Sequence, residues 1–132
     1  MRILAIDYGI KHTGFALGED GFTMPLDQIS TSSIQTVIDK VKKIIESENI
    51  SKIIVGLPVV MNNLKIQKII KDFLAELREQ VNLEIELVEE DFTSKEAFEE
   101  NFEKFSDLKH LKKTIHKNSA EKILINYYLK VD

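Results

Sequence analysis

The chain has 132 residues, of which 43% are hydrophobic and 30% charged, with a formal net charge of -4 and no cysteine. That length accommodates one packed domain, 1–132, and not two; the missing thiols exclude disulfides and thiolate metal centres, and no segment approaches the roughly 20 apolar residues of a membrane span. Acidic balance argues against a non-specific nucleic-acid coat protein, and Asp7 and Lys11 interrupt what would be the apolar region of a secretory signal, so a cytoplasmic protein without a membrane partner is expected.

Arg2 to Asp7 is an apolar run that reads as a buried strand ending in an acid, and Thr13 to Leu17 reads as its partner, with Gly9 and Gly14 bracketing the connection. Phe22 to Leu26, after the turn from Gly18 to Gly21, makes a third strand and completes an antiparallel meander. The period then changes. Ile34, Val37, Ile38, Val41, Ile44 and Ile45 recur at three-four spacing behind Ser32 or Ser33 as N-cap, which predicts a helix. Lys52 to Gly56 is a short buried strand closed by Gly56 and Pro58, and a second helix follows from Asn62 or Asn63, its apolar side running from Ile66 through Phe73 and Leu77 to Val81. Leu83 to Val88 alternates apolar residues with glutamates, the pattern of a strand with one wet face near a sheet edge. Thr93 is a cap candidate for a helix carrying Ala97, Phe98, Phe102 and Phe105, and Ala120, Ile123, Leu124, Tyr127 and Tyr128 mark a C-terminal helix. These aromatics fall at core spacing, not in a base-stacking platform.

Strands separated by helices favour parallel crossovers, so the expected fold class is α/β: a mixed sheet, three antiparallel strands and then parallel ones, with helices on both faces. Ligands in such sheets sit beyond the carboxyl ends of the parallel strands. Asp7, Gly56 and the pair Glu89 and Glu90 all fall at such ends, so three strands deliver their last residues to one place. Strand alternation puts Asp7 at the rim of the face shared by Ile3 and Ala5, and Gly9 beside it leaves room for a phosphate or for another stretch of backbone. An aspartate there could equally satisfy turn amides.

Four stretches taken together, IDYGIKHTGFALG, IIVGLPVVMNN at 53–63, VEEDFTSKEA at 88–97 and SAEKILINYYL at 119–129, resemble the YqgF family of ribonuclease-H-like proteins, in order and over nearly the whole chain. That family is described as pre-16S ribosomal RNA processing nucleases and as Holliday-junction-resolvase-like proteins. The resemblance implies a ribonuclease-H-like fold and metal-dependent hydrolysis of phosphodiesters in structured nucleic acid, either precursor ribosomal RNA or branched DNA. It also implies one or two divalent ions, Mg2+ or Mn2+, held by carboxylates. Asp7 matches the family's first catalytic acid; Glu90 matches the glutamate of its D-E-R-x-[ST]-[ST] motif, with Glu89 in the place of the aspartate and Thr93 and Ser94 kept. Two positions depart from the pattern. Asp91 stands where the family has arginine, and the aspartate that opens the last helix is Asn118 here, or Lys117 in a register shifted by one. Asn118 keeps a neutral oxygen for a metal and loses a charge. Glu121, one turn on, either faces the same way and substitutes for the lost acid or points to solvent, the latter being the expected arrangement. A catalytically impaired nucleic-acid-binding member is therefore the alternative reading. The D-x-G turn also suits the phosphate cradle of actin-like ATPases, which need two such domains; 132 residues do not supply them.

Charge is segregated late in the chain. Residues 84–103 hold nine carboxylates and one lysine, while residues 104–117 hold five lysines, two histidines and one aspartate. Lys109, Lys112, Lys113 and Lys117 coincide with a basic segment of the family, and with Lys11 in the first turn they are expected to contact substrate phosphates without reading sequence. His12, His110 and His116 lack metal-ligand spacing. A monomer or weak homodimer is expected.

Overall fold

The computed structural model describes residues 1–58, 64–90 and 119–131, with Pro58, Glu90 and Val131 described by their backbone alone. β1 (Arg2–Asp7), β2 (His12–Glu19) and β3 (Phe22–Ser30) are followed by α1 (Ile34–Glu48), β4 (Lys52–Pro58), α2 (Leu64–Gln80), β5 (Glu84–Glu90) and α3 (Ser119–Val131). The sheet order is β3-β2-β1-β4-β5. β2 pairs antiparallel with β1 and β3, whereas β1, β4 and β5 run parallel. This is the mixed sheet the sequence leads one to expect. The expected helix after Thr93, with Phe98, Phe102 and Phe105, lies outside the described residues, as do Asn62 and Asn63.

Local chemistry accounts for the turns and ends. Asp20 and Gly21 both have positive φ, 51° and 88°, as a two-residue hairpin turn with the right twist requires. Ser33 caps α1 by accepting from the Thr36 backbone N–H, and Asn49 ends the helix in the left-handed conformation. β3 runs four residues further than its apolar pattern indicates. Pro25, paired with Ala16, is tolerated because β3 is an edge strand whose outer side needs no donor.

Two cores flank the sheet. Leu4, Ile6, Phe15, Ile53 and Val55 face α1 and α2, where Val37, Val41, Phe73 and Leu77 cover them. The other face is lined by smaller residues, Ala5 and Ala16 with Ile3, Ile54 and Val88, and packs against Ala120, Ile123, Leu124 and Tyr127 of α3. Gly18 continues that trough: a Cβ there would stand 2.6 Å from the Tyr128 hydroxyl and 2.7 Å from Leu124 Cδ2. Small residues on the sheet therefore let α3 lie close, and each fully buried Leu or Ile contributes about 1.5–3 kcal/mol. Lys52 ties this layer together, with ion pairs to Glu84 (2.8 Å) and Glu86 (2.9 Å) and a bond to the Tyr127 hydroxyl (3.0 Å). Burial alone would lower its pKa, but the bonds to Glu84, Tyr127 and Glu86 outweigh burial and raise it.

Candidate functional site

β1 is the central strand, hydrogen-bonded on both sides, and Asp7 is its last residue. Ile6 and Tyr8 belong to the α1/α2 core while Ile3 and Ala5 belong to the α3 core, so alternation assigns Asp7 to the α3 face. The carboxylate is half-buried. Its position is fixed from below by the strand and from behind by Tyr8, whose ring stacks on Phe73 of α2 at 4.2 Å and 11°. Directly across in β2 stands Gly14, where a Cβ would meet nothing within 4 Å. The cross-strand neighbour that would ordinarily crowd Asp7 is thus missing, and the space beside the carboxylate is open. Gly9 behaves differently: a Cβ there would collide with the backbone carbonyl of His12, so of the two uses left open for Gly9 the structure shows approach by another stretch of backbone.

Register places the other ends. Ile6 is level with Val55 and Val55 with Leu87, so Gly56 and Val88 lie at the level of Asp7 and Glu90 lies two residues beyond, opposite Pro58. The backbones of Asp7 and Glu90 are therefore separated by two strand spacings, about 10 Å, and offset by about 7 Å along the strands. Glu89 is exposed and pairs with Leu57; it has the parity of Leu57 and Leu87, which pack toward α1 and α2, opposite to that of Asp7. Alternation therefore sets Glu89 apart from Asp7, not beside it. Lys11 and His12 are exposed at the β1–β2 turn on the same rim, where the Thr31 N–H bonds to the Lys11 carbonyl at 2.8 Å. Asp91, Lys109, Lys112, Lys113, Lys117 and Asn118 lie outside the described residues, as does the side chain of Glu90. Among the described residues no three acidic, histidine or cysteine side chains gather as a metal cluster.

Glu121 differs from expectation. Its side chain does not face solvent: the residue is 2% exposed, and its Oε2 accepts a 2.8 Å bond from the Thr23 hydroxyl. Burial raises its carboxyl above the ordinary range, the Thr23 bond opposing the rise. Thr23 pairs with Gly18 and Gly18 with Ile3, four residues or about 13 Å of strand below Asp7. Glu121 thus anchors α3 to the edge strand and does not stand in for a third acid at the rim. Its burial is legible only in retrospect, from its place in the row with Leu124 and Tyr128.

Below the rim on the β5 side an open depression of about 280 Å³ is lined by Glu86, Val88, Glu89, Tyr127 and Lys130, with Leu57 and Leu87. Of its two carboxylates, Glu86 is paired with Lys52 at 2.9 Å, and Lys130 lines the same depression.

A mixed sheet with an acid ending its central strand, a second acid ending its edge strand and a helix packed across the intervening face is the architecture of a ribonuclease-H-like protein. The chain belongs to the family whose model is described as "RuvX: Holliday junction resolvase", matched over residues 1–130. Two relatives, from Natranaerobius thermophilus and Dictyoglomus turgidum, are both named "Putative pre-16S rRNA nuclease". The first is 35% identical over 96% of this chain and 93% of its own length, and the second 32% identical over 95% and 90%. A third of the same name, from Rickettsia canadensis, is 37% identical over 73% of this chain and 65% of its own length. Among solved structures, Thermus thermophilus RuvC in complex with a Holliday junction superposes with a TM-score of 0.54 at 12% identity, over 68% of this chain and 66% of that one, a likeness of fold.

Proposed function

We propose that this chain is a metal-dependent nuclease that hydrolyses phosphodiesters in the precursor of 16S ribosomal RNA, acting in the cytoplasm. Asp7 and Glu90 would hold a divalent cation, Mg2+ or Mn2+, at the carboxyl rim. The observation that carries the reading is Asp7 itself: half-buried, at the end of the central strand, facing a space that Gly14 leaves open. The donor set fits a hard cation, since carboxylate oxygens are what Mg2+ and Mn2+ prefer. A cation bound there supplies Lewis acidity and a water acidified enough to attack phosphorus. The chain's own part is placement. β1 holds the Asp7 carboxylate, β5 brings the backbone of Glu90 to the same rim, and Asn118, at the position of the family's third acid, would offer a neutral oxygen. Lys11, Lys109, Lys112, Lys113 and Lys117 would hold the phosphate backbone. Glu89 is left out of the proposed ligand set because its parity is opposite to that of Asp7. The substrate assignment is supported by the names of the relatives above; the family model's description supports a four-way DNA junction as the competing substrate.

The test is cleavage of a precursor RNA fragment and of a four-way DNA junction with Mg2+ or Mn2+. Asp7→Asn, which removes a charged ligand worth several kcal/mol in the transition state, is expected to slow cleavage by roughly 1,000-fold. Cleavage at the wild-type rate would remove the chemical basis of the proposal. A second reading, a nucleic-acid-binding protein with impaired catalysis, is favoured by Asp91 where the family has arginine and by the engagement of Glu121 with Thr23 away from the rim. Salt-sensitive binding of the same RNA with no cleavage in either metal would select it.

A further inference from the structure

His12 shares both the rim and the sheet face of Asp7. Asp7 is level with Gly14 across the β1–β2 ladder, and His12 stands two residues from Gly14 on β2, toward the rim. Two residues along a strand return to the same face, so His12, Gly14 and Asp7 lie on the α3 face. Thr13, between the first two, has the parity of Phe15 and is buried on the other side. One strand spacing and two residues of rise put the backbones of Asp7 and His12 about 8 Å apart. The space over Gly14, where a Cβ would meet nothing within 4 Å, lies between them. Gln28 stands across from Gly14 on β3 and Ser30 across from His12. His12, Gln28 and Ser30 are all exposed.

The backbone that carries His12 is held on both sides. The Thr31 N–H donates to the Lys11 carbonyl at 2.8 Å, and the hydroxyls of Thr13 and Thr31 lie 2.6 Å apart. Gly9 packs so closely on the His12 carbonyl that a Cβ would collide with it. An exposed side chain with no core to fill therefore starts from a position fixed by three contacts, as a group that must meet a ligand in one geometry requires.

We propose that His12 is a further catalytic residue, its imidazole N–H donating to a non-bridging oxygen of the phosphate seated over Gly14. Histidine carries a ring N–H in either protonation state, so the contact does not depend on the ring being charged. Negative charge is spread over those oxygens in the transition state of phosphoryl transfer, and a donor already in place opposes it without reorganising. The phosphate then lies on the β2 side of Asp7, while Glu90 comes from the β5 side. The proposal rests on the nuclease reading above and adds to it the seat of the scissile phosphate.

Steady-state cleavage of the precursor RNA fragment in Mn2+, with a melt of each variant, tests it. His12→Ala is expected to lower kcat about 30-fold, less than the hundredfold or more of an enclosed donor because this rim is open to water. KM should change less than threefold and the melting midpoint not at all. His12→Gln restores an N–H donor and should recover about tenfold of the loss. A raised KM with kcat unchanged would mean that His12 binds substrate and transition state alike, which overturns the catalytic role. Equal losses in the Ala and Gln variants would overturn the donor contact. If His12→Ala cuts like the wild type while Asp7→Asn is inert, the nuclease reading stands without this residue. If the wild-type chain does not cut, or Asp7→Asn cuts equally well, that reading and the proposal fall together.

Discussion

Gly14 is the residue whose substitution separates folding from chemistry most cleanly. Opposite Asp7 in the ladder, it gives the strand nothing that a β-branched residue could not, and a side chain there meets open space. Gly14→Val is expected to leave the thermal midpoint unchanged or slightly raised and to cut metal-dependent cleavage about tenfold or more by filling the space beside the carboxylate. A variant that folds and cleaves normally would show that this space is not where the phosphate sits. Glu121 is the opposite case, a carboxylate whose burial acts on stability. Its folded pKa is raised above the ordinary 4.5 by burial, so between those two values the folded chain binds more proton than the unfolded one. Stability is therefore fullest below 4.5 and falls as pH rises through the folded value. Glu121→Gln keeps an oxygen for the Thr23 hydroxyl and removes the charge. It should flatten that dependence and add about 1 kcal/mol at pH 8, some 3–5 °C in midpoint, as read by melts from pH 4 to 8. A wild-type difference that does not change with pH would contradict it. Asp7 could be read as a site residue from the sequence because a strand-end acid is a local pattern. Gly14 and Glu121 could not be placed so, because their roles depend on Asp7 across a hairpin and on Thr23, 98 residues away.

At the scale of elements, the approach of α3 to the sheet depends on Gly18. A Cβ at 2.6 Å from the Tyr128 hydroxyl and 2.7 Å from Leu124 must push the helix outward, so Gly18→Ala is expected to cost about 2–3 kcal/mol. Tyr128→Phe removes one of the two obstacles. In a double-mutant cycle of chemical denaturation it should recover part of that loss, with a coupling of at least 0.5 kcal/mol; strict additivity would mean that α3 does not lie as close as described. Elements with a strong period are readable in the sequence: α1, α2 and α3 by their apolar rows, β1 and β4 by unbroken apolar runs, and β5 by glutamates alternating with Ile85 and Leu87. The far end of β3 is not, because Pro25 and Asp27 carry turn chemistry that only its position at the sheet edge makes harmless.

The molecule as a whole has two unlike ends. At the amino ends of the parallel strands, Arg2 pairs with Glu19 and Glu48, and Lys52 with Glu84 and Glu86; cations and anions there are matched, and the partly exposed pairs of Arg2 serve geometry more than energy. At the carboxyl ends, Asp7 closes β1 and Glu90 closes β5. An end built this way should be completed by a bound cation, and completion has a thermodynamic signature independent of cleavage. A ligand that binds only the folded chain stabilises it by RT ln(1 + [L]/Kd). With a third acid replaced by Asn118, a dissociation constant near 1 mM is a reasonable scale, so about 10 mM Mn2+ should add roughly 1.4 kcal/mol and raise the melting midpoint by about 4 °C. Asp7→Asn should melt normally without metal and lose that increment, whereas Glu84→Gln at the paired end should retain it. An increment that survives Asp7→Asn would place the cation elsewhere in the molecule, and none in the wild-type chain would leave the rim without the ion its chemistry requires.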